Sequence, residues 1–302
     1  MRHFLKSAPE RLLRRSSTFS VHGPRSTQYT QLFFKELLNA AGIHATLGHW
    51  PPELVSVGPR LVINPQSVKG LAPFRTAGLQ MELNVSHGAI NRRAVRAARV
   101  LPVCLDYSTN NIDRLSLADP VAARNVIHVP IVPIRFRHDQ AFCEFQSAAR
   151  ITQRPVSWMF VGTLNERRAS ALSAVLNVGR GALVASAFEA HLYRRLQMSE
   201  VVIDIAFFPD GNRDVERSGL SLALGARYLG EFVSDGARPA ESPWVRHFKT
   251  GDWRHARECL EEMLRVEARG ELSDQQIDSL PTADALLRQR PWIDVIDALR
   301  TL

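Results

Sequence analysis

Three polar loops in this sequence of 302 residues each follow a short apolar segment and carry side chains suited to anions or to proton transfer. The first loop, His22 to Ser26, joins a histidine, a glycine and an arginine ahead of a predicted helix. Gly23 would let a ligand approach the backbone, the helix N-terminus favours anions, and His22 is a candidate general base. The alternative interpretation is an ordinary strand-to-helix turn.

The second loop, Gly162 to Arg168, places a glycine directly after an apolar strand and two arginines at the start of the next helix. Guanidinium groups beside free backbone amides suit a diphosphate. Arginine is mildly unfavourable at the positive end of a helix dipole. Arg167 and Arg168 therefore favour a functional explanation over the alternative, a solvated helix start that is basic by chance.

The third loop, Phe207 to Gly219, contains two glycines, two aspartates, one glutamate and two arginines before a predicted helix. A polar loop of this kind between buried elements is suited to sugar hydroxyls and phosphate. The alternative is a charged surface loop.

Stronger signatures of other chemistries are missing from the sequence. It has no GxGxxG fingerprint with an acidic partner, no GxxxxGK[ST] phosphate loop, no HExxH and no GxSxG. His44 and His49 have no evident third ligand, and there is no DxD triplet to hold a metal–diphosphate complex. We therefore expect neither a metal ion nor a cofactor.

Apolar strands alternate with helices in both halves of the chain, which predicts parallel βαβ units. The rhythm restarts near Val156, after a polar connector at Phe136–Gln153. We therefore expect an α/β protein of two Rossmann-like domains, residues 1–140 and 150–285, with a final helix at 286–302 packing back on the first domain. The predicted strands are 18–21, 61–63, 100–105, 125–131, 156–161, 181–186, 201–207 and 228–233, and the main predicted helices are 26–41, 92–99, 167–176, 187–197, 217–224, 253–266 and 283–302.

Composition indicates an ordinary soluble globular protein, with 45% hydrophobic and 23% charged residues. A formal net charge of +8 favours polyanionic partners. Nucleic acid is disfavoured, because the basic residues lack interleaved aromatics. Three scattered cysteines indicate reduced thiols and a cytoplasmic location, and the basic segment Arg11–Arg15 is either solvated or lies on an anionic membrane at its inner face.

Five segments between Leu61 and Val233 together resemble glycosyltransferases of the two-Rossmann (GT-B) fold, in a branch whose C-terminal half belongs to glycosyltransferase group 1. They occur in the family's order along the chain. The segments are Leu61–Gln66, similar to "yNlEq"; Val103–Leu115, similar to "vwDYSxxN"; His128–Ile131, similar to "hvPlgy"; Phe160–Arg168, similar to "FvGsxnxRR"; and Arg217–Glu231, similar to "RLxEALAxGxxVVxE".

The resemblance implies two domains facing across a cleft and a metal-independent transfer of sugar from a nucleoside diphosphate sugar to a glycan or lipid-linked acceptor. An inverting reaction would need a base, for which His22 and Asp106 are the candidates. The implied donor-binding residues are Gly162, Arg167, Arg168, Asp214, Arg217 and Glu231, and the implied acceptor-side residues are Gly23, Asn64 and Tyr107.

The sequence departs from the family pattern at Leu220, where the family has an acid that binds the nucleotide ribose. Asp214 and Glu216 are the nearby carboxylates that could replace it. The glutamate of "NlEq" is also absent, with Pro65 and Gln66 in its region. A non-catalytic relative with a regulatory or scaffolding role is therefore the second functional hypothesis, and a basic nucleic-acid-binding protein is the third.

Overall fold

The computed structural model of the chain describes residues 18–52, 58–81, 85–86, 89–151, 154–185, 187–207, 215–232, 241–265 and 269–302. The described strands form two fully parallel sheets, one in each half of the chain, and one short antiparallel pair. Parallel sheets need crossover connections, and helices supply most of them here. The predicted α/β class with two Rossmann-like domains is therefore confirmed.

The first sheet has the strand order β2-β1-β3-β4-β7-β8. The chain leaves β1 in one direction and returns to its other side at β3, so the topological switch point lies between β1 and β3. The strands are β1 Phe19–His22, β2 Ala45–Leu47, β3 Arg60–Ile63, β4 Thr76–Gln80, β7 Val103–Asp106 and β8 Val126–His128, with β5 Val85–Ser86 and β6 Ala89–Ile90 as the antiparallel pair; the helices are α1 Gln28–Ala40, α2 Arg92–Val100, α3 Thr109–Ala118, α4 Pro120–Ala123 and α5 Gln140–Ile151.

The second sheet has the order β10-β9-β11-β12-β13, and its switch point lies between β9 and β11. Its central strands are almost completely buried, as expected for a sheet covered on both faces. The strands are β9 Val156–Val161, β10 Gly181–Val184, β11 Ser199–Asp204, β12 Arg227–Phe232 and β13 Val245–Lys249; the helices are α6 Glu166–Ser173, α7 Glu189–Gln197, α8 Val215–Ala223, α9 Trp253–Leu264, α10 Arg269–Ser279, α11 Ala283–Leu286 and α12 Arg290–Arg300.

Helix α1 connects the first sheet to the C-terminal helices. Its leucines and phenylalanines are buried, and the chain turns out of the helix at Gly42, two residues after its end, whose φ of +77° suits a residue without Cβ. Phe33 packs on Trp292 of α12, with ring centroids 5.3 Å apart. Arg75 donates a hydrogen bond to the Leu302 carbonyl at 2.6 Å. The C-terminal segment thus packs against the first domain.

The predicted connector at Phe136–Gln153 does lie between the two sheets, but it contains a helix that was not predicted, α5 at Gln140–Ile151. Its mixed polarity conceals a buried face that includes Phe142, whose ring centroid lies 4.3 Å from that of Phe136. The carboxylate of Glu36 accepts hydrogen bonds from three successive backbone amides just before this helix, at residues 137–139. This tertiary contact fixes the start of α5.

Other differences concern strands: β2, β4 and β13 were not predicted, and several predicted bounds differ from those observed. The predicted strand at 100–105 begins only at Val103, because α2 continues to Val100. Strand β4 was missed, since its sequence contains threonine, glycine and glutamine. It is fully buried, and Thr76 Oγ1 accepts a hydrogen bond from Nε of the buried Arg60 at 2.9 Å. Among the described helices, none is both long and apolar enough to span a bilayer.

Candidate functional site

The carboxyl edges of the two sheets meet at the domain interface. Helices α1, α7 and α8 follow β1, β10 and β11, so each begins at the carboxyl edge of its sheet. Their first turns contact one another: the backbone amide of Glu189 donates to Gln28 Oε1 at 3.0 Å, and Glu216 accepts from α1. Because ligands of open α/β sheets bind at this edge, beside the switch points, the interface is the candidate site.

Gly162 lies at the switch point of the second sheet, immediately after β9. Its φ is +145°, and a Cβ at this position would lie 3.3 Å from Nη1 of Arg168 and 3.3 Å from Nη2 of Arg217. The two guanidinium groups therefore flank one small space at the end of the strand. The ring of Phe160 lies under both, 5.3 Å from Cζ of Arg168 and 6.0 Å from Cζ of Arg217.

Arg168 is 4% exposed and is held by the loops on either side of it. Its Nε donates to the Ile205 carbonyl at 2.9 Å, and its Nη1 donates to the Thr163 carbonyl at 2.8 Å. The ring of Phe207 lies 5.1 Å from its Cζ. These contacts fix the guanidinium plane beside Gly162, as required of a preorganised anion-binding group.

Arg217 is the more accessible of the two arginines, with 22% of its side chain exposed. It forms an ion pair with Asp204, the last residue of β11. The other oxygen of Asp204 accepts a hydrogen bond from the buried Tyr228 hydroxyl at 2.7 Å. Asp204 and Tyr228 thus orient Arg217 towards Gly162, and neither was singled out by the sequence analysis.

Arg167 lies on the neighbouring part of the same edge. It pairs with Glu231, whose side chain is 2% exposed, and donates to the Ala206 carbonyl at 2.6 Å. The Ala206 amide in turn donates to Glu231 Oε2 at 2.9 Å. The Trp253 ring lies 5.1 Å from the Arg167 guanidinium. Glu231 therefore holds the Arg167 side chain and the loop after β11 in place through these contacts.

The N-terminus of α1 is occupied by a carboxylate from the other domain. Glu216 accepts hydrogen bonds from the backbone amides of Tyr29 at 2.9 Å and Thr30 at 3.0 Å. Thr27, the residue before α1, does not cap the helix with its side chain, since its Oγ1 donates instead to the Pro24 carbonyl. Glu216 is committed to this interface and is poorly placed to replace the ribose-binding acid.

Two positions of the donor-side analysis remain: Leu220, where the sequence departs from the family pattern, and Asp214, an implied donor-binding residue. Leu220 is 5% exposed and packs in the main hydrophobic core. Asp214 lies outside the described residues. The sequence departure at Leu220 is thus a buried apolar position on α8.

His22 lies at the carboxyl end of β1, beside the switch point of the first sheet. Its Nδ1 is 2.9 Å from the His49 carbonyl, and its Nε2 is 2.9 Å from Ser20 Oγ. A carbonyl can only accept, so Nδ1 carries a proton and Nε2 is the basic nitrogen in the neutral ring. A Cβ on Gly48 would lie 2.0 Å from the ring, so Gly48 makes room for the imidazole.

Asp106 is fully buried at the end of β7. Its Oδ1 accepts from the Ser108 amide at 2.9 Å, and its Oδ2 accepts from Asn111 Nδ2 at 2.5 Å. Tyr107, next to it, packs partly against the main core, and its carbonyl lies 3.2 Å from His128 Nε2. These contacts describe a carboxylate that shapes the start of α3, and its role as a base stays a prediction.

The remaining acceptor-side candidates lie at the ends of β1 and β3. Asn64 has a left-handed backbone with φ of +55°, and its Oδ1 accepts from the Met81 amide at 2.9 Å. It thereby links the ends of β3 and β4. A Cβ on Gly23 would lie 2.6 Å from Thr27 Oγ1, so this glycine permits a tight turn into α1. Contact of either residue with an acceptor stays a prediction.

No protein-family model matches the sequence, and no curated protein matches it. The chain is similar to the solved structure of TarM, with 7% identity over 79% of this chain and a TM-score of 0.49, and it spans only 54% of that chain. It is similar to the wall teichoic acid polymerase TagF, with 11% identity over 95% of this chain and 88% of that chain and a TM-score of 0.43. It is also similar to the catalytic domain of starch synthase IV from Arabidopsis thaliana, with 10% identity over 90% of this chain and 78% of that chain and a TM-score of 0.44.

These similarities concern the fold alone, so the function has to be argued from the residues of the site. The two parallel sheets of the chain itself, with carboxyl edges that meet, have the arrangement of the two-Rossmann (GT-B) fold. The resemblance noted in the sequence is therefore confirmed at the level of the fold. Asp204 could have been found from sequence as the polar residue that ends an apolar strand, whereas Trp253 carries no local signal.

Proposed function

We propose that the chain is a glycosyltransferase that moves a sugar from a nucleoside diphosphate sugar to a hydroxyl of a glycan or lipid-linked acceptor. The observation that carries the proposal is the approach of Arg168 and Arg217 to Gly162 at the switch point of the second sheet. Two fixed guanidinium groups beside a glycine that opens the backbone suit a diphosphate in size and charge.

In this proposal the arginines act on the leaving group. Cleavage of the bond between the sugar and the diphosphate leaves negative charge on the nucleoside diphosphate. Arg217 and Arg168 stabilise that charge without having to reorganise, because Asp204 and backbone carbonyls already hold them. Arg167 supports the same edge through Glu231. The proposal needs no metal ion, so EDTA should leave turnover unchanged.

His22 is the base of this proposal for an inverting transfer. The Ser20 hydroxyl already lies at His22 Nε2. The His49 carbonyl accepts the proton on Nδ1 in a hydrogen bond, which leaves Nε2 as the basic nitrogen. An acceptor hydroxyl that replaces Ser20 at Nε2 would lose its proton as it attacks the sugar. Asp106 is the less suitable base, since both of its oxygens accept hydrogen bonds within its own loop.

One observation favours a second candidate, a non-catalytic relative of the same fold. The ribose-binding acid of the family is replaced by Leu220, which is buried in the core, and Glu216 is used at the interface. A protein without that carboxylate would keep the arginines and lose affinity for the nucleoside.

A ligand panel followed by a turnover assay tests both candidates. The full chain is heated with UDP-, GDP-, ADP-, CMP- and dTDP-sugars, and a donor at about 100 times its dissociation constant should stabilise the fold by about 2.7 kcal/mol. Released nucleoside phosphate is then measured for each stabilising donor. Stabilisation by a donor together with release of its nucleoside phosphate supports the enzyme. No stabilisation by any donor supports the non-catalytic relative, which would lack the ribose contact, and contradicts the enzyme.

The proposed setting of this reaction is the cytoplasm, where the acceptor would be presented from the inner face of a membrane. The net charge of +8 supports an anionic partner surface.

A further inference from the structure

One surface of the first domain combines exposed arginines with exposed apolar side chains. It is formed by α2, the end of α3 and α4, which pack on one another, and is called here the α2–α4 face. This face lies outside the site described above. It consists of Arg92, Arg93, Arg96, Arg99, Arg124, Val100, Leu117 and Val121, all of which are exposed.

The arginines of α2 share one side of the helix. At about 100° per residue, Arg92, Arg93, Arg96 and Arg99 all fall within one half of the helix circumference. Ala94 and Ala98 fall on the opposite side and are buried. Helix α2 is therefore anchored through alanines and presents four guanidinium groups outwards.

The apolar side chains lie beside these arginines. Leu117 is 89% exposed, Val121 is 64% exposed and Val100 is 50% exposed. Arg99 Nη2 lies 2.6 Å from Asp119 Oδ2, which brings the end of α2 to the junction of α3 and α4. Val100 follows Arg99, and Leu117 and Val121 flank Asp119, so the ion pair gathers all three in one part of the surface.

The face rests on a small packed core of its own. Below it lie Ala98, Cys104, Leu115 and Ala122, which form a separate hydrophobic cluster. The Asp119 side chain caps α4 by accepting from the Ala122 amide at 3.0 Å. The exposed apolar residues thus stand on a fixed base, and their exposure is a property of the folded surface.

The positive charge of the α2–α4 face indicates the kind of partner surface that it would bind. Residues 92–124 contain six arginines and three aspartates, and of these aspartates Asp106 is buried and Asp119 is paired with Arg99. Arginines around protruding aliphatic side chains suit a surface with anionic headgroups above an apolar layer. Single-stranded nucleic acid would be met by aromatic side chains, and the face has none.

We propose that the α2–α4 face docks on the surface of an anionic lipid bilayer, with the arginines on headgroups and Leu117, Val121 and Val100 inserted below them. This rests on the membrane setting of the proposed function and names the surface that would meet that membrane; vesicle binding and donor binding are measured separately, so either can fail alone. Such docking would hold the chain at a membrane that carries a lipid-linked acceptor.

Vesicle co-sedimentation of the full chain tests the proposal. The probes are vesicles of phosphatidylcholine alone and of phosphatidylcholine with phosphatidylglycerol. We expect binding only to the second, weakened by salt. The double variant Leu117→Ser/Val121→Ser and the triple variant Arg92→Gln/Arg93→Gln/Arg96→Gln should each lower the partition coefficient by about ten-fold or more.

Matched control variants distinguish binding by the α2–α4 face from non-specific electrostatic or hydrophobic binding by other surfaces. Leu176→Ser, exposed in the second domain, and Arg254→Gln/Arg257→Gln, exposed on α9, should bind as the unmodified chain does. The triple lysine variant of Arg92, Arg93 and Arg96 should keep binding, which distinguishes lost charge from lost folding.

Three outcomes would overturn the proposal. The first is no binding to the anionic vesicles. The second is binding that is unchanged in both face variants, including binding that is lost only when Arg11, Arg14 and Arg15 are replaced by glutamine. The third is arginine-dependent binding that is indifferent to Leu117→Ser/Val121→Ser and is competed by RNA, which would indicate a polyanion site.

Discussion

The Glu216 carboxylate lies 2.9 Å from the backbone nitrogen of Tyr29, so the first turn of α8 in one domain caps the first turn of α1 in the other. The same two helices also touch through Gly219, where a Cβ would lie 2.2 Å from the Tyr29 ring. Arg217 follows Glu216 directly and reaches Gly162. Consecutive residues of α8 therefore serve the interface and the proposed donor site.

Replacing Glu216 with alanine should destabilise the protein, because two backbone amides at the start of α1 would lose their charged acceptor. The expected loss is about 1–3 kcal/mol in the free energy of unfolding, measured by urea titration. Glu258→Ala, on the exposed face of α9, is the control and should change stability little. An equal change in the free energy of unfolding for both substitutions would show that Glu216 does not stabilise the interface.

Replacing Gly162 with alanine should impair nucleoside diphosphate binding beyond its effect on folding. The substitution strains a backbone at φ +145° and places a methyl group 3.3 Å from two guanidinium nitrogens. Gly251→Ala is the matched control, since its φ is +80° and open space surrounds its Cβ position. Both variants should unfold more easily, and only Gly162→Ala should lose affinity in a thermal-shift titration with nucleoside diphosphates.

Replacing His22 with alanine should lower turnover by a factor on the order of 10² to 10⁴ and leave donor affinity unchanged, if His22 is the base. His49→Ala is the control, because His22 Nδ1 donates to the main-chain carbonyl of residue 49, and that acceptor survives the substitution. Initial rates of nucleoside diphosphate release would measure the effect. Unchanged turnover in His22→Ala would exclude it as the base.

The two cysteines of the first half should differ in reactivity. Burial, with the nearby Asp106 charge, raises the pKa of the Cys104 thiol to about 12, so at pH 8 it remains protonated and inaccessible. Burial also raises the pKa of Cys143, though this residue is partly exposed. Alkylation of the native protein at pH 8, followed by mass spectrometry, should modify Cys143 before Cys104. Modification of Cys104 first would contradict its packing.

Local pattern was sufficient to predict that Gly162 and Arg168 lie at one edge of the second sheet, and their contact with a donor stays a prediction. Gly162 and Arg168 follow an apolar strand, and the rule that ligands bind at carboxyl edges directs attention to them without any knowledge of tertiary contacts. Arg217 was named through the family resemblance, as part of a polar loop that also follows an apolar strand. The confirmed α/β class follows from the same alternation of strands and helices.

Tertiary partners were beyond the reach of local pattern. Glu216 and Tyr29 are separated by 187 positions, so nothing near either residue indicates the cap. Helix α5 was missed because the charge that fixes its start comes from Glu36, far away in the chain. Strand β4 was missed because a buried Arg60 satisfies its threonine, which removes the usual cost of a polar residue in a core.

The most direct test of the central claim is a calorimetric titration of nucleoside diphosphates into the full chain, Arg217→Ala and Arg180→Ala. Arg180 is exposed in the same domain and is the charge-matched control. The account predicts that at least one nucleoside diphosphate binds the unmodified chain and Arg180→Ala with equal affinity, and that Arg217→Ala binds it about ten-fold or more weakly. Equal affinity in Arg217→Ala, or no binding by any of the proteins, would contradict the account.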